Sequence, residues 1–273
     1  MTAAGVPFEK MTAGGNDFVI LDAADLDEDV DGAALARRLC DRRLGIGADG
    51  LFVVSKSGLS PVSLGFWNAD GSEAGLCANG TSCAARFACE GKTGEVRLGT
   101  RVGELAADVA GDLVALEMPP PTGIDLHGSV ELEGRSLSIH RVDTGCPHVV
   151  VLEAENGPID FLAVAPVLRS HEAFGPAGAN VDVVSSVQSP QADTRSVRFW
   201  ERGVEGETLS CGTGAVAVAI VSALVEDVHS PVRIVSPGGR AVTVSFTVSQ
   251  GVVSRIRLEG RVTRVFRGRV PLI

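Results

Sequence analysis

Two cysteines stand in matching surroundings in the two halves of the chain. Cys77 opens Ala78-Asn79-Gly80 ahead of Thr81-Ser82-Cys83-Ala84-Ala85, and Cys211 opens Gly212-Thr213-Gly214 ahead of the apolar run at 215–221. Each has a glutamate four residues upstream, Glu73 and Glu207. The cysteines are 134 positions apart (211 − 77), close to half of the 273 residues. Small-residue turns that lead into apolar helices put a thiol beside unpaired backbone N–H groups and the positive end of the helix dipole, which lowers a cysteine pKa. Such a pair suits inversion of a carbon stereocentre, which needs a base on one face and an acid on the other, here one thiolate and one thiol. The N–H groups of the same turns can hold a carboxylate and stabilise the charge that develops as an α-proton leaves. This scheme needs no cofactor and no metal. Taken singly, each cysteine reads as a small buried hydrophobe, the common state of a free thiol. The repetition in a polar Gly/Asn/Thr setting favours chemistry.

The elements that must position these thiols repeat as well. Strands are expected at 6–10 and 18–21 around a Gly14-Gly15-Asn16-Asp17 turn, a helix capped by Asp31 through about 43, and strands at 51–54 and 63–67. The polar loop 68–73 then leads to Cys77 and a helix over 79–89, followed by strands at 95–98, 103–109 and 113–118. Pro119-Pro120-Pro121 breaks the pattern and marks the domain boundary. In the second half, strands at 137–142 and 149–152 flank Gly145-Cys146-Pro147-His148, which takes the place of Gly15-Asn16-Asp17-Phe18 at an offset of 130 (145 − 15). A helix ending near His171 carries Pro166 in its first turn, where a missing N–H costs nothing. Strands at 181–184 and 197–200, the Cys211 helix, and a strand at 232–234 complete the repeat. The expected fold is α+β: two pseudosymmetric domains, 1–122 and 123–262, with a last strand at about 263–273 returning to the first. Each is a curved, mainly antiparallel sheet around a central buried helix, with the active site in the interdomain cleft. Gly45-Ile46-Gly47-Ala48-Asp49-Gly50 matches a dinucleotide fingerprint formally, but it follows a helix and precedes a strand, the reverse of the order that motif requires.

Composition excludes several classes. Lys and Arg total 24 against 34 Asp and Glu, a net charge of −10 that disfavours nucleic acid or an anionic membrane as partner. With 45% hydrophobic residues and a mean hydropathy of +0.22 the chain folds. No charged start with an apolar run opens it, and the longest mostly apolar run, 215–225, is too short to cross a bilayer, so the expected location is the cytoplasm. Six cysteines in a chain of this length do not form a disulfide scaffold. Cys83 and Cys89 follow Cys77 at six-residue steps, a poor zinc geometry, and with Cys40 they read as core. His127, His140, His171 and His229 form no constellation.

The motifs together resemble the diaminopimelate epimerase family over nearly the whole chain. The match rests on the Gly-Asn-Asp turn at Asn16, residues 45–49, the loop 68–73, Cys77 with Asn79-Gly80, Pro147-His148, Asn180-Val181, Glu201-Arg202-Gly203, Glu207-Thr208, Cys211-Gly212-Thr213-Gly214 and Pro237-Gly238-Gly239. The resemblance implies a cofactor-independent epimerase of a small amino-acid substrate, LL-2,6-diaminopimelate, acting as a homodimer. The counterpart of Cys77 would be the proton donor and that of Cys211 the acceptor for LL to meso conversion. It implies that Ala78, Asn79, Gly212 and Thr213 line the cradle of the reacting α-carboxylate. Asn16, Asn68, Asn180 and Arg202 would complete substrate recognition, with Glu201 accepting the distal ammonium. His148 and Glu201 resemble the residues that tune the thiols. The chain departs from the family pattern at five places: Ala78 for glycine, Cys146 for an asparagine that contacts the distal end of the substrate, Thr12 for a common histidine, Gly50 for a glutamine found in some members, and Phe266 for a tyrosine near the dimer contact. Two other readings stay open: a racemase of a different amino acid with the same cysteine pair, and a thiol redox or binding protein.

Overall fold

The structure, a computed structural model, describes residues 5–56, 61–132, 134–185, 193–237, 239 and 241–271, so Gly238 of the Pro-Gly-Gly motif lies outside the described residues. The chain divides into two compact units, Met1–Glu117 with Glu259–Ile273, and Met118–Leu258. Unit 1 contains β1 (Val6–Ala13), β2 (Asn16–Asp22), α1 (Gly32–Cys40), β3 (Gly50–Ser55), β4 (Val62–Asn68), α2 (Ala78–Ala88), β5 (Gly94–Thr100), β6 (Gly103–Ala110) and β7 (Leu113–Met118). Unit 2 contains β8 (Thr122–Leu132), β9 (Arg135–Asp143), β10 (Pro147–Leu152), α3 (Glu153–Asn156), α4 (Phe161–Arg169), β11 (Asn180–Val184), β12 (Thr194–Glu201), β13 (Gly206–Thr208), α5 (Gly212–Val225), β14 (Val232–Val235) and β15 (Ala241–Ser249). The last strand, β16 (Val252–Val270), starts in unit 2 and runs on into unit 1.

The strand order of unit 1 is β1-β2-β3-β4-β5-β6-β7-β16, and residues 262–270 of β16 pair antiparallel with β1, so this sheet closes on itself. Packed against β1, β2, β3, β5 and β6 is α2, whose residues from Ala78 to Ala85 are buried. In unit 2 the order is β8-β9-β10-β11-β12-β14-β15-β16, with β13 on the side of β12, and α5 packs on β9, β10, β11, β14 and β15. The same joints recur in both units. Strands β2 and β3 pair parallel across α1, and β4 and β5 across α2; β10 and β11 pair parallel across α3 and α4, and β12 and β14 across α5. Parallel neighbours need such a helical crossover, and the other strand pairings among the described residues, such as β1–β2, β3–β4, β9–β10 and β11–β12, are antiparallel. The result is a mixed α+β, strand-rich fold built twice.

The burial of α5 follows from its sequence. Apart from Thr213, residues from Gly212 to Ser222 are buried on every side of the helix, which an all-apolar run of small side chains allows. Each fully buried Val or Ile there contributes roughly 1.5–3 kcal/mol.

Three local expectations are corrected. Helix α1 starts where Asp31 caps it, its carboxylate accepting the N–H groups of Ala33 and Ala34 at 3.0 and 3.1 Å, but it ends at Cys40 rather than near 43. There Asp41 leaves the helical region, and its side chain accepts the N–H groups of Arg43 and Leu44 at 2.7 Å each, closing a turn. Pro166 lies in the second turn of α4, not the first. The Leu162 carbonyl loses its donor there, tolerable at a solvent-exposed position. The final strand begins at Val252, eleven residues earlier than expected. Arg255, at φ 52, separates buried Val253 from buried Ile256 by three positions and breaks the period-two pattern that would reveal it.

Candidate active site

In unit 1, Cys77 is the half-buried N-cap of α2, with φ −130 and ψ 110. Ala78 is the first helical residue and keeps a negative φ, so the backbone does not require glycine there. Asn79 follows, its Nδ2 donating to Asn16 Oδ1 at 2.8 Å, while Asn16 Nδ2 donates to Asp49 at 3.1 Å and its carbonyl accepts the Thr12 hydroxyl at 2.7 Å. Gly80 is pressed on aromatic rings: a Cβ there would meet Phe52 at 2.3 Å. Phe52 stacks on Phe66 at 4.4 Å and meets Phe18 edge-on at 5.5 Å. The glycines at 45–50 serve a polar network, with the Gly47 carbonyl accepting from Lys10 Nζ and Asp49 accepting from Arg42 at 2.7 Å. Burial pushes the Asp17 carboxyl up, but the hydrogen bonds and charges of Arg42 and Lys10 outweigh it and hold it at about 2. Asn68 is exposed, its amide donating to the Ser72 hydroxyl at 3.0 Å.

In unit 2, Cys211 caps α5 with φ −127 and ψ 116, its sulfur accepting the Gly214 N–H at 3.4 Å and lying 3.3 Å from Thr213 Oγ1. Unlike Cys77 it is buried. The helix terminus does not lower this thiol: burial pushes it well above the ordinary range, and the charges of Glu201, Asp182 and Cys146 push the same way. That corrects the expectation drawn from the helix dipole, because a single capping N–H does not repay removal of a thiolate from water. Glu201 sits within hydrogen-bonding reach of Cys211; burial raises its carboxyl, while the Thr208 hydroxyl that donates to it pulls the other way. It makes no surface pair with Arg202, whose own N–H donates to Asn180 Oδ1 at 2.8 Å.

His148 is buried in this cluster, with Nδ1 2.8 Å from Asp182 Oδ2 and Nε2 3.0 Å from Thr213 Oγ1 and 3.3 Å from Cys146 Sγ. Burial alone would lower the imidazole, but the charge and hydrogen bond of Asp182 outweigh it and hold the ring above the ordinary histidine range, favouring its charged form. Cys146 also takes a bond from Asn180 Nδ2 at 3.3 Å and lies 3.4 Å from Thr213 Oγ1. Burial acts to raise the Cys146 thiol, and the hydrogen bond and charge of His148 turn the balance downward.

Sequence reasoning missed Asp182, and the repeat makes its place legible. Shifted by 130, Phe18 falls on His148 and Phe52 on Asp182 (148 − 18, 182 − 52); in the paired strands, Ile20 lies opposite Phe52 as Val150 lies opposite Asp182. A lone aspartate among Val181, Val183 and Val184, standing where the other half has an aromatic core residue, was the available signal. Asn16 shifts by 130 to Cys146, and Asn79 shifts with the helix starts by 134 to Thr213 (213 − 79), so the Asn16–Asn79 bond becomes Cys146–Thr213. Unit 2 therefore brings together Cys146, His148, Asn180, Glu201, Cys211 and Thr213, with Gly212 starting the helix, whereas unit 1 joins Asn16 and Asn79 beside Cys77. Glu73 and Glu207 form surface pairs with Arg101 and Arg198. Cys40 and Cys83 are buried, and burial pushes the Cys40 thiol up to about 12, which suits packing rather than chemistry.

The family model described as diaminopimelate epimerase matches residues 8–122 and 141–256. A diaminopimelate epimerase from Aquifex aeolicus is 35% identical over 277 residues, covering 96% of this chain and 97% of that protein. Another, from Archaeoglobus fulgidus, is 37% identical over 250 residues, covering 86% and 87%. Among solved structures, a PhzF-family phenazine biosynthesis protein from Bacillus anthracis superposes with a TM-score of 0.73 at 16% identity, covering 98% of this chain and 99% of that one. A hydroxyproline epimerase from Agrobacterium vitis gives 0.70 at 16%, covering 97% and 90%. At those identities the two structures share the fold. No helix among the described residues is long and apolar enough to cross a membrane.

Proposed function

The chain belongs to the diaminopimelate epimerase family, and we propose that it interconverts LL- and meso-2,6-diaminopimelate by cofactor-independent proton transfer at Cα, with Cys77 and Cys211 as the two proton carriers. The observation that carries this reading is Cys211 at the start of α5 with Glu201 in hydrogen-bonding reach. A buried thiol that must become a base needs a neighbour to take its proton, and a carboxylate raised by burial is matched to that task. In the LL to meso direction Glu201 accepts the Cys211 proton, the Cys211 thiolate removes the α-proton, and the Cys77 thiol delivers a proton to the opposite face of the same carbon. The N–H groups at the starts of α2 and α5, at Ala78, Asn79, Gly212 and Thr213, hold the carboxylate on which charge develops. Arg202 pairs with the distal carboxylate, Glu201 receives the distal ammonium, and Asn16, Asn68 and Asn180 complete the polar lining. His148, whose charged form Asp182 favours, sets the field around Thr213 and Cys211. Incubation of LL-diaminopimelate with the protein in D2O should yield the meso isomer with deuterium at the inverted carbon; absence of both interconversion and exchange would remove the assignment.

A second reading keeps the chemistry and changes the substrate. It is favoured by Asn180, whose amide donates to Cys146 and whose oxygen accepts from Arg202, so that both ends of its side chain are engaged within the protein. A panel of L-amino acids followed by chiral chromatography separates the two, since only the second predicts faster conversion of another substrate. A homodimer in the cytoplasm completes the proposal, supported by exposed Val265 and Phe266 on β16 and by six free thiols; a monomeric mass in sedimentation would exclude the dimer.

A further inference from the structure

Cys146 has no part in the two-cysteine reaction, yet its surroundings are those of an activated nucleophile. Its sulfur lies 3.3 Å from His148 Nε2, and the far side of that ring is held by Asp182 at 2.8 Å, giving thiol, imidazole and carboxylate in line. Asn180 Nδ2 donates to the same sulfur at 3.3 Å, and the Thr213 hydroxyl lies 3.4 Å away. Hydrogen bonds of this kind favour a negatively charged sulfur. Cys146 is half-buried, so small reagents reach it, whereas the other thiol of the cluster, Cys211, is buried. Both sulfurs stand within 3.4 Å of one atom, Thr213 Oγ1.

We infer that Cys146 is a second reactive thiol, a modification site for soft electrophiles and hydroperoxides, with Cys211 as the thiol that closes a disulfide upon it. With hydrogen peroxide as oxidant, the Cys146 thiolate attacks one peroxide oxygen. An S–O bond forms and the O–O bond breaks; the sulfur is oxidised to a sulfenic acid, and the departing hydroxide takes the imidazolium proton of His148 and leaves as water. Cys211 then attacks the sulfenic sulfur, its own proton combining with the displaced hydroxide as a second water. Two thiols and one peroxide become one disulfide and two waters, and Cys211 is withdrawn until an external thiol reduces the bond.

The test uses the whole chain and no substrate, so its outcome is separate from that of the epimerase assay. Trypsin releases Cys146 in residues 142–169 and Cys211 in residues 203–233. With iodoacetamide at pH 6, the peptide with Cys146 should label at least about tenfold faster than any other cysteine peptide, as expected of a thiolate held by a neighbouring cation. This fast phase should vanish in Cys146→Ser. Faster labelling of another cysteine, or Cys146 labelling that climbs about tenfold per pH unit from 6 to 8 as for an ordinary thiol, overturns the inference. After peroxide, the two peptides should appear joined in the unreduced digest. In Cys211→Ser the join should be replaced by a dimedone adduct on Cys146, and a disulfide from Cys146 to any other cysteine defeats the assignment of Cys211. Should Cys146→Ser fail to fold, the pH dependence of wild-type labelling decides alone.

Discussion

Helices α2 and α5 begin on cysteines whose backbone angles differ by only a few degrees, and they rest on different ground. Beneath the first turn of α2 lie Phe18 and Phe52; beneath that of α5, at the corresponding positions, lie His148 and Asp182. Both helices have a glycine three residues after the cysteine. At Gly80 a Cβ would strike the Phe52 ring at 2.3 Å, and at Gly214 it would come within 2.8 Å of Asp182 Oδ1. The main-chain frame is thus retained while two side chains turn an apolar cushion into a charged pair. The aromatic version adds about 0.5–1.5 kcal/mol per ring pair beyond its buried area. The charged version contributes less to stability, because two ions taken from water largely spend their attraction on lost hydration. Unit 1 keeps its comparable polar network, Lys10, Asp17, Arg42 and Asp49, in more exposed surroundings. On the proposed reaction, acid–base function would be loaded onto one repeat, and the other would supply a thiol on a plain support.

Substitutions can break this comparison. The largest effect is expected for Cys77→Ser and Cys211→Ser, each lowering turnover by about a thousandfold or more with the circular dichroism spectrum unchanged; if only one of them did so, the two repeats would not share the reaction. Glu201→Gln should cost about 10²–10⁴ in kcat. Because burial raises the Glu201 carboxyl above its ordinary range, the wild-type rate should fall on the acid side as Glu201 becomes protonated and cannot accept the Cys211 proton. That limb should be missing from the pH–rate profile of the glutamine variant.

Asp182→Leu removes the partner that keeps the buried His148 ring charged, leaves its N–H unpaired and should lower unfolding free energy by about 1–3 kcal/mol in urea titrations, whereas His148→Leu with Asp182→Leu should recover most of the loss. No recovery would mean that the pair holds unit 2 together in a way the phenylalanines of unit 1 do not. In unit 1, Asp17 is lowered from 3.8 to about 2, so the stability it contributes is fully present above about pH 4 and is lost as pH falls through 2. Asp17→Asn should therefore destabilise at neutral pH and flatten the acid unfolding curve between those values. The smallest change is expected for Ala78→Gly, which restores symmetry with Gly212 and should cost about 0.5–1 kcal/mol through backbone entropy.

The repeat itself was legible in the sequence because its glycine turns and helix starts recur at nearly constant offsets, and glycine spacing survives where side-chain chemistry diverges. The cysteines, His148 and Glu201 stood out as polar residues in a repeated frame. Asp182 did not, since one acidic residue within Val181-Asp182-Val183-Val184 reads as an interruption of a strand until its ion pair is seen. The direction of the Cys211 pKa shift was misread for a related reason. A helix start is visible in sequence, but the depth of burial that opposes its field depends on strands distant along the chain. Strand β8 and the first half of β16 went unassigned because glycines or a left-handed residue disturb their alternation, whereas β15 alternates regularly and was missed although its period-two pattern is legible.

Strand β16 has a consequence for the order in which this protein can be made. Its residues 262–270 are the partner of β1, so β1 leaves the ribosome long before the strand that covers its edge. Until then unit 1 presents an open, pairing-competent edge, and chaperone engagement or premature strand exchange between nascent copies competes with completion of the barrel.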